Sequence, residues 1–262
     1  MVYGSNMIEH AGNSYEVTLK LCMAIFRDGE IRDAITEDEL LELEEYLQRK
    51  NLPANLCAVI QSRREIVLHA KAALYIINQL CIHDSAKKSF FKLIESSPTK
   101  LTPEIHPGKN IAVSTVRMKS RQASIHFLIT ASLVPHKMKA MIRELKSDLN
   151  EALKMGTIDP IAIASKYTHI FVNVHPFIDG NGRMCRLILN SLLLKLGSFI
   201  VCIGDKDEDR SLYLEIAAKS SALEDLYEDF EEEEKPFMFK ELGSFVMSHV
   251  EKNMRKLIDT LL

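Results

Sequence analysis

His175-Pro-Phe-Ile-Asp-Gly-Asn-Gly-Arg-Met-Cys-Arg186 gathers polar and flexible residues between two apolar segments. Ahead of it, Asp159-Pro160 supplies an N-cap and a first-turn proline for a helix reaching about residue 172. Behind it, residues 187–194 are apolar on nearly all sides of a helix that Gly197 stops. The stretch therefore reads as a polar loop joining two core helices, and the chain as mainly α. Each residue type in the loop has a chemical use. Gly180, Asn181 and Gly182 can bring successive amide N–H groups together into an anion cradle. The following helix adds partial positive charge at its amino end, so a phosphate fits there. Arg183 and Arg186 share a helical face and offer forked donors to phosphate oxygens. Asp179, just before the cradle, suits Mg²⁺ held against the same phosphates. His175 titrates near neutral pH, as a general base requires.

Outward from the loop, helical periodicity dominates. Thr36-Glu37-Asp38-Glu39 reads as a capping box for a helix to about residue 50, carrying Leu40, Leu43 and Leu47. Residues 54–82 contain no breaker, and Ile66, Ala70, Ala73, Leu74 and Ile77 form an apolar stripe. A shorter helix is expected over 85–95. Pro135 opens an amphipathic helix with Met138, Met141, Ile142, Leu145, Leu149 and Leu153 on one face. Further helices are expected over 210–227 and 236–261. The period changes only over residues 111–129, where Ile125, Phe127 and Ile129 alternate with Ser124, His126 and Leu128. That pattern predicts one β-hairpin turning at residues 119–122. Residues 228–234 are an acidic run, read as a solvated turn.

Composition bounds the reading. Among 262 residues only 10 are Gly and 8 are Pro, a scarcity that favours helices. With 33 Lys+Arg against 36 Asp+Glu the net charge is −3, which speaks against nucleic acid as a partner because phosphate backbones call for a basic field. No apolar run reaches the length of a membrane span, and Met1-Val-Tyr-Gly-Ser-Asn lacks the basic and apolar regions of a signal peptide. The expectation is a cytoplasmic chain with no membrane partner. Five widely spaced cysteines without a Cys-x-x-Cys pair fit reduced thiols.

With those residues in view, the loop resembles the signature of the Fic family, His-x-Phe-x-(Asp/Glu)-Gly-Asn-Gly-Arg-x-x-Arg, with every defined position filled. The resemblance covers roughly residues 60–225. It implies a helical bundle with the catalytic loop between two core helices and a hairpin flap, here residues 111–129. It implies transfer of AMP from ATP, with Mg²⁺, to a Ser, Thr or Tyr hydroxyl of a protein, which can be the chain itself. His175 would deprotonate the hydroxyl and Asp179 would bind the metal. Gly180, Asn181, Gly182 and Arg183 would hold the phosphates, and Arg186 would contact the γ-phosphate.

Ser5-Asn-Met-Ile-Glu9 resembles the same family's inhibitory pattern, with Gly12-Asn13 two residues later than the usual Gly or Asn. Ser5 and Glu9 share a face on a helix. The resemblance implies that Glu9 pairs with Arg186 and switches the enzyme off, and that the same glutamate can assist removal of AMP. The organisation expected is an inhibitory helix region over 1–30 and a helical Fic domain over 31–262, compact as a whole. A homodimer is left open.

Other readings stay beside this one. Relatives with this loop use UTP or GTP, or CDP-choline, and a catalytically silent binding module is a reading of another class. The intact Arg-x-x-Arg favours a triphosphate donor. His69, His169 and His249 read as satisfied structural residues. Cys185 reads as a packing residue of the apolar helix, and Met138 and Met141 as core.

Overall fold

The computed structural model describes residues 1–28, 31, 35–81, 132–177, 179–227, 229–231, 234 and 236–261. The helix expected over 85–95 and the hairpin expected over 111–129 lie outside the described residues. Among those described there are nine helices and no strand, and none of these helices is long and apolar enough to cross a membrane. The helices are α1 (Val2–Ile8), α2 (Tyr15–Asp28), α3 (Glu37–Arg49), α4 (Leu56–Cys81), α5 (Val134–Met155), α6 (Pro160–Val174), α7 (Asn181–Gly197), α8 (Asp207–Leu226) and α9 (Lys240–Leu261).

Several boundaries follow from capping chemistry. Thr36 accepts from the Glu39 amide at 3.2 Å, so the expected box starts α3. Asp159 Oδ1 accepts from the amides of Ile161 and Ala162 at 2.9 and 3.0 Å, with Pro160 in the first turn of α6. At the end of α7 the structure differs from expectation: Gly197 is the last helical residue, and Ser198 takes the left-handed conformation at φ 59°. The helix over 15–28 has no counterpart in the sequence reading. Ser14 Oγ accepts from the Val17 amide at 3.2 Å and begins it.

Contacts divide the chain into two compact units, one of residues 1–86 with 202–210 and one of residues 87–201 with 211–262. In the first, α1, α2 and α3 pack against α4. Their core holds Ile8, Val17, Leu21, Ile25, Leu43, Val59, Ile66 and Ala70, all nearly or fully buried. Polar side chains fasten α1 and the segment behind it. Asn6 Oδ1 lies 3.2 Å from His69 Nδ1, the Gly12 amide donates to Glu65 at 2.8 Å, and Asn13 Nδ2 donates to Ser62 Oγ and to the Leu43 carbonyl. Arg210 Nε donates to the Ile8 carbonyl at 2.8 Å, placing a cation at the carboxyl end of α1. Gly4 packs so closely on residues 203–205 that a Cβ there would stand 2.3 Å from the Ile203 carbonyl oxygen.

In the second unit, α6 packs against α5, α7 and α9. Every residue of α7 from Met184 to Leu193 is buried, as the all-round apolar pattern implies. Tyr167, Phe171, Leu189, Leu192, Leu193, Met141 and Leu145 form the centre of this core. Tyr167 donates to Asp148 of α5 at 2.8 Å, and Lys166 pairs with Asp148 and Glu144 at 2.8 and 2.7 Å. Burial, together with the Asp148 carboxylate it donates to, pushes the Tyr167 hydroxyl pKa far up. The two most buried helices, α6 and α7, are therefore rigid walls, and the polar loop is the short link between them.

Candidate active site

The loop begins where α6 ends. His175 is the C-cap of α6 in the left-handed conformation, φ 47° and ψ 57°, and its amide still donates to Phe171 at 3.1 Å. A non-glycine residue there costs about 1–2 kcal/mol of backbone energy, so the position is held by its surroundings. The imidazole Nδ1 lies 3.3 Å from the Val172 carbonyl. A carbonyl only accepts, so this contact selects the tautomer with the proton on Nδ1 and the lone pair on Nε2. That is the form a general base needs.

Pro176 is buried, and the Phe177 ring packs 6.1 Å from Phe171. Asn181 then closes the loop: its Oδ1 accepts from the Phe177 amide at 3.0 Å and its Nδ2 donates to the Phe177 carbonyl at 2.7 Å. Asn181, 4% exposed, thus shapes the cradle through Phe177, a bracing use of its amide that the sequence reading did not foresee. Gly180 stands at the N-cap of α7 with φ 84°, a backbone conformation that favours glycine. Gly182 lies one residue inside α7, so the helix begins two residues earlier than the sequence suggested. The first turn of α7 has neither a side-chain cap nor an acidic residue. The early amides of a helix lack intrahelical acceptors, and this end is accordingly suited to an anion.

The two arginines differ in setting. Arg183 Nη2 pairs with Asp179 Oδ2 at 3.0 Å, and the Asp179 side chain is 85% exposed. Arg186 is 2% exposed, with its guanidinium carbon 5.6 Å from the centroid of the Tyr213 ring. The negative face of an aromatic ring attracts the weakly hydrated guanidinium and helps hold it there. Tyr213, itself buried and 6.1 Å from Phe245, is a supporting residue that spacing alone could not pair with Arg186. Cys185 is fully buried and its Sγ faces the Thr168 carbonyl at 3.9 Å, a packing position.

A second polar cluster ties α6 to α8. His169 Nε2 lies 2.7 Å from Glu224 Oε2, Asn173 Nδ2 bonds both groups, and Ser221 Oγ donates to Asn173 Oδ1 at 2.7 Å. Burial pushes the Glu224 carboxyl up, but His169, Asn173 and Lys137 outweigh it and hold the pKa below the ordinary carboxylate value. His169 is thus a partnered structural residue, as expected. The i, i+4 pair on α6 and the i, i+3 pair on α8 are visible in sequence, but only the fold sets them face to face.

Of the inhibitory segment, Ser5 is buried in α1, and Glu9 is exposed as the C-cap of that helix, one residue beyond its last turn. Among the described residues no group of three or more His, Cys, Asp or Glu could by itself hold a metal ion.

The Fic/DOC family model matches residues 100–193, a span that ends inside α7 and includes the whole loop. A Fido domain-containing protein of Dictyostelium discoideum is 35% identical over 88 residues, 33% of this chain and 59% of that protein. The protein adenylyltransferase Fic of Drosophila erecta is 44% identical over 43 residues, 16% of this chain and 9% of that protein. The protein adenylyltransferase and cysteine protease IbpA of Histophilus somni is 33% identical over 63 residues, 24% of this chain and 2% of that protein. These matches therefore span about three fifths of the first relative and small parts of the others. The crystal structure of a Fic domain containing signaling protein from Bacteroides thetaiotaomicron superposes with a TM-score of 0.52 at 18% identity, over 95% of this chain and 82% of that one. That likeness bears on the fold, which is the mainly α arrangement found here. The part of the chain that holds the complete loop between α6 and α7 is thus the part that matches the Fic/DOC family model and these relatives.

Proposed function

We propose that this chain is a protein adenylyltransferase held in check by its own N-terminal segment. The match of residues 100–193 to the Fic/DOC family model, and to segments of protein adenylyltransferases, supports a Fic-type transferase broadly. The observation that carries the finer reading is the setting of His175. Its Nδ1 faces the Val172 carbonyl, which leaves the lone pair on Nε2, beside an uncapped helix start flanked by Arg183 and Arg186. In the proposed step, Nε2 takes the proton of a Ser, Thr or Tyr hydroxyl and the oxygen attacks the α-phosphorus of ATP. The bond to the β-phosphate oxygen breaks and pyrophosphate leaves. Arg186, held over the Tyr213 ring, would contact the γ-phosphate, and the first-turn amides of α7 with Arg183 would hold the remaining phosphate oxygens.

Asp179 would hold Mg²⁺. One exposed carboxylate fits an ion that takes its other ligands from phosphates and water, and it would not fit a metal caged by protein alone. When bound, the ion neutralises phosphate charge. The inhibitory part of the proposal rests on the Ser5 to Glu9 spacing and assigns Glu9 to pair with Arg186.

The test is to incubate wild type and a Glu9→Gly variant with Mg²⁺ and, in turn, α-labelled ATP, UTP, GTP and CTP, following label on the protein. The proposal predicts labelling from ATP, faster in the variant. Labelling from UTP or GTP alone would move the donor assignment, and equal rates in the two proteins would remove Glu9 from the account. Absence of labelling from every triphosphate by folded protein would overturn the triphosphate reading.

A further inference from the structure

The sequence reading passed over α2, and this helix carries a surface that neither the core nor the loop uses. Its inner face is committed: Val17, Leu21 and Ile25 are at most 6% exposed. On the opposite side Tyr15, Leu19, Met23 and Phe26 are 54, 44, 41 and 43% exposed. Their spacings of four, four and three residues put them in one stripe along the 14-residue helix. Single exposed apolar residues are ordinary, but a continuous stripe of four large ones marks an interaction surface.

The charges beside the stripe indicate what covers it. Glu16 in the first turn and Arg27 in the last lie on the same flank, eleven residues apart, and both are exposed. Lys20 falls between them, but it is drawn to its own chain by Glu42 at 2.8 Å. An anionic membrane surface would call for Lys and Arg along the flank, not for an acid at one end and a base at the other. A second copy of α2 running antiparallel meets the requirement. A twofold axis through the middle of the stripe sets Glu16 of each copy beside Arg27 of the other on the same flank, twice by symmetry. It also pairs the apolar stripes and opposes the helix dipoles.

We propose that the Tyr15, Leu19, Met23 and Phe26 face of α2 is a homodimer surface in which two copies of this helix pack antiparallel, with Glu16 and Arg27 setting the register. The pairing is independent of the nucleotide chemistry proposed above.

Sedimentation velocity over a wide concentration range tests it on the full chain. Wild type is expected to show a reversible monomer–dimer equilibrium that weakens with added salt. Leu19→Glu combined with Met23→Glu is expected to be monomeric throughout, with an unchanged far-ultraviolet circular dichroism spectrum, since both residues are exposed. Glu16→Arg and Arg27→Glu singly are expected to raise the dissociation constant about tenfold, or about 1.4 kcal/mol, and the double charge exchange to restore it. A wild type that stays monomeric at every concentration, or a dimer untouched by the Leu19 and Met23 changes, would overturn the surface. Failure of the double exchange to restore binding would overturn the antiparallel register.

Discussion

The side chain of Asn181 holds both backbone groups of Phe177, donating to its carbonyl at 2.7 Å and accepting from its amide at 3.0 Å. This closed ring fixes the turn that carries Asp179 and Gly180, and it uses both the oxygen and the nitrogen of the Asn181 amide. Replacing Asn181 by Ala removes two neutral hydrogen bonds of about 1 kcal/mol each. The expected loss is about 2 kcal/mol in urea unfolding, with a larger fractional loss of nucleotide-dependent activity than of stability-matched controls. An Asn181→Ala variant as stable as wild type would show that the ring does not brace the loop.

Tyr167 joins the two helices on the other side of α6. The hydroxyl is buried and donates to Asp148 at 2.8 Å. Tyr167→Phe keeps the ring and deletes that charge-assisted bond, for an expected cost of about 1.5–3 kcal/mol. Thermal and urea midpoints both report it. Because Lys166 also pairs with Asp148, the carboxylate keeps a partner, and Asp148→Ala should cost more than Tyr167→Phe.

Glu224 predicts a pH dependence whose sign is fixed. Its folded pKa lies below the ordinary value of 4.5, so its contribution to stability is present above that value and is lost as pH falls through the folded pKa. The difference in urea midpoint between wild type and Glu224→Gln should therefore be largest at about pH 6 and shrink toward about pH 3. A difference that grew on acidification would contradict the assignment of His169 and Asn173 as its stabilising partners.

Gly4 tests the packing of α1 in the first unit. A Cβ at this position would meet the Ile203 carbonyl oxygen at 2.3 Å, and one at Gly204 would meet the Gly4 oxygen at 2.5 Å. Backbone cannot swing aside as a side chain can. Gly4→Ala is expected to cost about 2–3 kcal/mol, and Gly204→Ala more, because φ there is +86°. Differential scanning calorimetry checks both.

The legible parts of this fold are those whose signal is local. Thr36 and Asp159 announce α3 and α6 because capping involves residues two or three apart, and the apolar run of α7 announces burial on all sides. The loop was readable because its glycines, arginines and histidine are contiguous. What stayed hidden depends on pairings across the fold. Tyr213 under Arg186 and the His169, Asn173, Ser221 and Glu224 cluster join residues tens of positions apart. The α2 helix escaped for a related reason: apolar residues on both its inner and outer faces blur the period that marks a one-sided helix. The bracing use of Asn181 was hidden because its side chain reaches back four residues to both backbone groups of Phe177, whereas the caps of Thr36 and Asp159 reach forward.

The central claim is transfer of AMP with His175 as base, and paired labelling tests it most directly. Glu9→Gly protein is incubated with Mg²⁺ and ATP carrying label on either the α- or the γ-phosphate, beside a Glu9→Gly, His175→Ala double variant of equal stability. The account predicts protein-bound label from the α-position only, abolished by His175→Ala. Label from the γ-position, or α-label that survives the loss of His175, would contradict it.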